Sequence, residues 1–106
     1  MNIEIDLTTV SLSQFNNFTL IDVREEYERE MQPIDNPSVH IPLSQFDGNL
    51  TALSKDKQYL VICAHGMRSY GFTQYLRDNG FNEVYSIPQG MESLYQFKTR
   101  HSPKQL

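Results

Sequence analysis

Tyr59-Leu60-Val61-Ile62-Cys63-Ala64-His65-Gly66-Met67-Arg68-Ser69 is the stretch on which the reading of this chain turns. It opens with four apolar residues of strand-forming type. It closes at Ser69, where a helical pattern begins and continues to Asn79. That pattern predicts Phe72, Tyr75 and Leu76 on one inward face, and Asn79-Gly80 as a C-terminal stop. Between strand and helix lies a short loop in which Gly66 can adopt a positive φ, so that backbone N–H groups curl inward as a cradle. The helix start adds its unsatisfied N–H groups and positive dipole end. Strand, cradle and helix in that order make an anion site, and Cys63 stands at its entrance.

Working outward, further apolar runs predict strands at Thr19 to Val23, Val39 to Ile41 and Glu83 to Ile87, with Ile3 to Ile5 a weaker fifth. Buried runs of this kind suit a parallel sheet. Helical stretches are predicted between them: Ser11 capping a turn through Phe15, a charged turn or two over Glu25 to Met31, and Ser44 to Leu53 interrupted by Gly48. A last helix covers Met91 to Thr99, with Leu94 and either Tyr95 or Phe97 inward. The alternation predicts an α/β fold, helices around a mostly parallel sheet.

The chain has 106 residues, 39% hydrophobic and 21% charged, with six Tyr and six Phe: enough for one packed core and too little for two. No repeat and no Pro/Gly/Ser linker divides it, so a single domain over 1–106 is expected, with a core over about 3–99 and a frayed tail over 100–106. One cysteine can form neither an internal disulfide nor a multi-cysteine metal site. No basic region followed by a long apolar run opens the chain, and no run reaches membrane-spanning length; a cytoplasmic protein away from the membrane is expected. The net charge of −4 argues against nucleic acid as a partner. The charge is uneven, with ten acidic against four basic residues over 1–57 and three against five over 58–106, so the second half is the better host for a small anion.

A cysteine at the end of an apolar strand is, taken alone, more often a buried small hydrophobe than a nucleophile. Gly66 and Arg68, three and five residues later, reverse that reading. Loop N–H groups, the helix end and the Arg68 cation all favour thiolate over thiol at Cys63. The Arg68 fork suits a tetrahedral anion or its sulfur analogue, and Ser69 can donate to the same anion or cap the helix. His65 is as readily a solvated bystander as an anion contact.

From Leu20 to Tyr95 the chain resembles a single-domain rhodanese. The resemblance rests on Ile21-Asp22-Val23-Arg24-Glu25, on the loop Cys63 to Ser69, and on Leu76-Arg77-Asp78-Asn79-Gly80-Phe81 followed by Val84-Tyr85 and Gln89-Gly90-Met91. It implies a central five-stranded parallel sheet flanked by helices, with Cys63 as the catalytic residue that accepts and passes on a sulfane sulfur. Ala64, His65, Gly66, Met67, Arg68 and Ser69 would form the substrate-binding active loop. Asp22 and Arg24 resemble the family's acidic and basic pair and would tie the early strand to that loop. Gly90 resembles a turn glycine whose missing side chain permits close packing. Two departures stand out: Gln32 to Pro42 replaces the usual Gly-His-Ile and Pro-Gly-Ala signature, implying a reshaped crossover, and Tyr95 stands where the family usually has Trp.

The resemblance implies a double displacement from a small anionic donor such as thiosulfate to a nucleophilic acceptor, through a Cys63 persulfide, with no metal or organic cofactor. A persulfide carrier that serves a protein donor or acceptor would use the same loop. A cysteine-dependent phosphatase or arsenate reductase fits less well. Those enzymes place five residues between Cys and Arg, whereas here only Ala64 to Met67 intervene.

Overall fold

The computed structural model describes residues 2–102. Four strands, β1 (Phe18–Asp22), β2 (Ser38–His40), β3 (Gln58–Ile62) and β4 (Val84–Ser86), form one sheet in the order β2-β1-β3-β4. All three pairings are parallel. Around them lie α1 (Leu12–Phe15), α2 (Glu26–Met31), α3 (Met67–Asp78) and α4 (Met91–Arg100). The α/β architecture is the one the apolar runs predict, and each strand falls within a residue or so of its expected bounds.

The fifth strand is a correction. Ile3 to Ile5 does lie beside β4, but only as an isolated bridge, with Ser86 N–H donating to Ile3 O at 2.8 Å and Ile5 N–H donating to Ser86 O at 3.0 Å. Asp6 ends the extended run at once, because its carboxylate accepts from Thr8 N at 2.9 Å and caps the 3₁₀ turn Leu7–Thr9.

Alternation along the strands sorts the core into two layers. Leu20, Leu60 and Ile62 face one layer with Leu94 and Phe97 of α4. Ile21, Tyr59, Val61 and Cys63 face the other with Phe72 and Leu76 of α3. Cys63 thus lies under α3 by the parity of β3.

Two helix expectations also change. Ser44 to Leu53 is not a helix; only the 3₁₀ turn Leu43–Gln45 forms. Beyond it Asp47 and Asn49 accept from the N–H groups two residues on, and Gly48 takes φ +89°, so side chains satisfy the backbone that a helix would otherwise claim. On α3, Tyr75 is 39% exposed, and the fully buried Thr73 and Ser69 join Phe72 and Leu76 on the inner side. On α4, Met91, Leu94 and Phe97 recur every three residues and turn inward, so of the two aromatics expected for the inner face Phe97 takes it and Tyr95 is 65% exposed. Arg100 ends α4 and the His101 ring lies over Phe97, while residues 103–106 of the expected tail lie outside those described.

Candidate active site

Val23 N–H donates to Ile62 O at 3.0 Å, holding β1 against the last residue of β3, and the chain then turns at Cys63. The turn is forced by Gly66, which takes φ +100° as the residue that caps α3. Any Cβ there would come 3.0 Å from Gln89 N. The turn brings Gly66 N–H to 3.1 Å and Ser69 N–H to 3.3 Å from Cys63 Sγ. Ser69 Oγ lies 3.4 Å from the same sulfur; it accepts from the thiol and donates to the thiolate.

Cys63 is 1% exposed. Burial opposes its ionisation, but the Ser69 hydroxyl and the N–H groups of Ser69, Gly66 and His65 outweigh it and hold the thiol below its ordinary value. The sulfur thus sits among fixed donors that suit the thiolate, a setting unlike that of a cysteine packed only against apolar side chains.

The back of the loop rests on a second glycine. Gly90 takes φ +56°, and Met91 N–H donates to Ala64 O at 3.2 Å. A Cβ on Gly90 would stand 2.1 Å from Cys63 O, so the β4–α4 turn can seat the loop only without a side chain at this position. His65 is exposed and Met67 is 84% exposed, so these two loop residues face the solvent.

Asp22 and Arg24 are both buried and paired through two bonds, Nε to Oδ1 at 3.0 Å and Nη2 to Oδ2 at 2.9 Å. Burial would raise the Asp22 carboxyl, yet the Arg24 hydrogen bonds overcome it and lower it. Arg24 Nη1 also donates to Gln32 O at 2.9 Å, and Arg29 Nη1 donates to Asp22 Oδ2 at 3.1 Å. The pair therefore ties β1 to the end of α2, with none of its hydrogen bonds running to the loop itself. In the divergent crossover, His40 Nε2 lies 2.8 Å from Arg24 O, and Gln32 to Asp35 face α4 across a groove.

Two residues that the sequence reading passed over enter the site. Glu28 of α2 accepts from both ends of the Arg68 fork, Nη1 to Oε1 at 2.7 Å and Nη2 to Oε2 at 2.8 Å. These bonds pull the Glu28 carboxyl down to about 2 against a small cost of burial, and they raise Arg68 further above its ordinary value. Ser86 of β4, fully buried, lies 2.7 Å from Ser69 Oγ. When Ser86 donates, the single Ser69 proton is free for the Cys63 sulfur. A signal for Ser86 was present, as a hydroxyl at an inward strand position beside Val84, where alternation calls for an apolar side chain. For Glu28 the only signal was its spacing from Glu25, which reads as a helix cap and does serve as one.

The family model described as Rhodanese-like domain matches residues 9–96. The chain is 40% identical over 72 residues to a Bacillus subtilis protein named "Putative sulfurtransferase YtwF", covering 68% of each chain. It is 32% identical over 77 residues to the thiosulfate sulfurtransferase GlpE of Coxiella burnetii, covering 73% of this chain and 71% of that one. A crystal structure of a rhodanese-related protein from Thermoplasma volcanium superposes with a TM-score of 0.73 at 29% identity, covering 94% of both chains.

Proposed function

This chain belongs to the rhodanese-like domain family and is a sulfurtransferase of that family; we propose that it moves a sulfane sulfur as a persulfide on Cys63. The observation that supports this most strongly is the environment of Cys63 Sγ, which faces Gly66 N–H at 3.1 Å, Ser69 N–H at 3.3 Å and Ser69 Oγ at 3.4 Å. Donors fixed in place stabilise the thiolate that attacks, and they are equally suited to the negative charge that the persulfide carries.

With thiosulfate as donor, the Cys63 thiolate attacks the outer sulfur, the sulfur–sulfur bond of the donor breaks with its electron pair going to the leaving group, and sulfite departs as the dianion. Cys63 keeps one extra sulfur as an anionic persulfide. An acceptor such as cyanide then attacks that terminal sulfur and leaves as thiocyanate, restoring the thiolate. Splitting the transfer in two predicts ping-pong kinetics. In this reading Ala64 to Ser69 form the substrate loop, with Gly90 seating it and the Asp22–Arg24 pair supporting the site by tying β1 to α2, in a single domain working where its lone thiol stays reduced, as in the cytoplasm.

A second reading, a carrier that exchanges sulfur with a partner protein, is favoured by one observation. Met67, 84% exposed on the loop, borders an apolar groove lined by Leu43, Phe46, Phe72 and Tyr75. Intact-protein mass after incubation with thiosulfate, then with cyanide, tests the proposal. We expect a gain of about 32 Da, one sulfur atom, that cyanide removes and Cys63→Ser abolishes. A gain only with a protein donor would select the carrier. No gain with any donor, or aryl phosphate hydrolysis dependent on Cys63, would overturn both.

A further inference from the structure

Arg68 is the loop's own cation, and the sequence places it where an anionic donor would be gripped. Its fork is already filled: both Nη atoms donate to the Glu28 carboxylate at 2.7 and 2.8 Å. Glu28 is held firmly in turn, because its Oε1 accepts from Glu25 N–H at 2.9 Å in the capping box of α2. Its low pKa of about 2 keeps it ionised throughout the neutral range. The nearby arginines leave one positive charge between them, since Arg24 and Arg29 share the single carboxylate of Asp22, at 2.9 and 3.1 Å. Glu25 adds a further negative charge that acts on Arg68. The mouth of the Cys63 site is therefore close to neutral rather than cationic.

Resting on the sulfur-transfer reading of Cys63, we propose that Glu28 is a specificity-determining residue which, by occupying the Arg68 fork, disfavours dianionic donors such as thiosulfate relative to sulfane donors carrying one negative charge. Glu28 acts through charge on the approach of the donor and not on the reacting atoms. A matched pair of donors isolates that effect. Thiosulfate carries two charges and releases sulfite; methanethiosulfonate carries one and releases methanesulfinate. In both, the Cys63 thiolate attacks the same kind of outer sulfur, one sulfur–sulfur bond breaks, and the leaving group takes the electron pair.

Glu28→Gln removes the charge while keeping the shape and an oxygen that can accept from Arg68 and Glu25. One unit charge at roughly 6 Å in water-like surroundings is worth about a threefold rate factor per donor charge. We therefore expect kcat/KM to rise about tenfold for thiosulfate and about threefold for methanethiosulfonate at low salt, with Glu28→Asp keeping the wild-type ratio. Both gains should collapse in about 0.5 M KCl. An unchanged donor ratio, or a fall in thiosulfate use, would overturn the assignment and make Glu28 a residue that aims Arg68 at the donor. Should the variant not fold, the wild type decides: its thiosulfate kcat/KM should change less than about twofold between low and about 0.5 M KCl, and a steep fall would mean a net cationic mouth. If neither donor leaves sulfur on wild-type Cys63, the sulfur-transfer reading itself fails, an outcome separate from a donor ratio that does not move.

Discussion

The hydrogen bonding of the Cys63 sulfur depends on a hydroxyl it never touches, that of Ser86. Ser69 Oγ has one proton and three neighbours, namely the Cys63 sulfur, Gly66 O at 3.2 Å and Ser86 Oγ at 2.7 Å. Ser86 can satisfy Ser69 as acceptor only by donating to it, and that bond leaves the Ser69 proton to the thiolate sulfur and Gly66 O alone. Ser86→Ala should therefore raise the pH midpoint of Cys63 alkylation and slow alkylation at pH 7 by about threefold, the order expected for weakening one neutral hydrogen bond. Iodoacetamide rate against pH, read alongside an unchanged circular dichroism spectrum, checks this. A midpoint that stays in place would mean that Ser86 merely fills a polar hole. Cys63, Gly66, Arg68 and Ser69 were legible in the sequence because they share one loop. Glu28 was not, because 40 residues separate it from Arg68.

At the scale of elements, the site is a junction of two turns, one leading into α3 and one into α4. The α4 turn carries its own strain marker: Gln89 adopts φ +63°, and Gly90 follows at φ +56°. Because a Cβ on Gly90 would collide with Cys63 O at 2.1 Å, Gly90→Ala must displace either the loop or the start of α4. We expect a loss of about 3 kcal/mol in stability, the sum of a left-handed backbone penalty and a backbone clash, together with faster alkylation of an uncovered Cys63. Urea unfolding measures the first and alkylation kinetics the second; a wild-type midpoint would contradict the geometry. Elements were also where periodicity misled. Ser44 to Leu53 has helical spacing, but Asp47 and Asn49 bind the backbone locally, and a hydrophobic pattern does not register that competition.

For the whole molecule, acid sensitivity follows from the ion pairs that join α2 to its surroundings. Glu28 sits at about 2 against an ordinary 4.5, and Asp22 is lowered from 3.8. Depressed carboxyl values mean that the unfolded chain binds more protons, so stability rises with pH across this window. The contribution is complete above about pH 4.5 and is lost as pH falls toward 2. The urea midpoint should fall across that range, with a shallower slope in Glu28→Gln; identical slopes would mean that the Arg68 pair contributes nothing to folding. No helix among the described residues is long and apolar enough to cross a membrane, and no group of three His, Cys, Asp or Glu among them is placed to hold a metal ion.

The sequence by itself determined the alternating α/β plan, the strand–loop–helix at Cys63 and the need for glycine at 66. These are local matters: strand and helix periods, the reach of a short loop and the steric limits on φ act within a few residues. Only the tertiary structure decided what meets what. The register of β1 and β3, with Asp22 beside Ile62, sets the start of α2 next to the Cys63 loop and delivers Glu28 to Arg68. The pairing of β3 with β4 delivers Ser86 to Ser69, and it leaves the N-terminal segment a single bridge instead of a fifth strand. Tyr75 and Tyr95 face outward for the same reason, since a helix buries the face that the sheet beneath it covers, and that choice is made by packing across the whole chain.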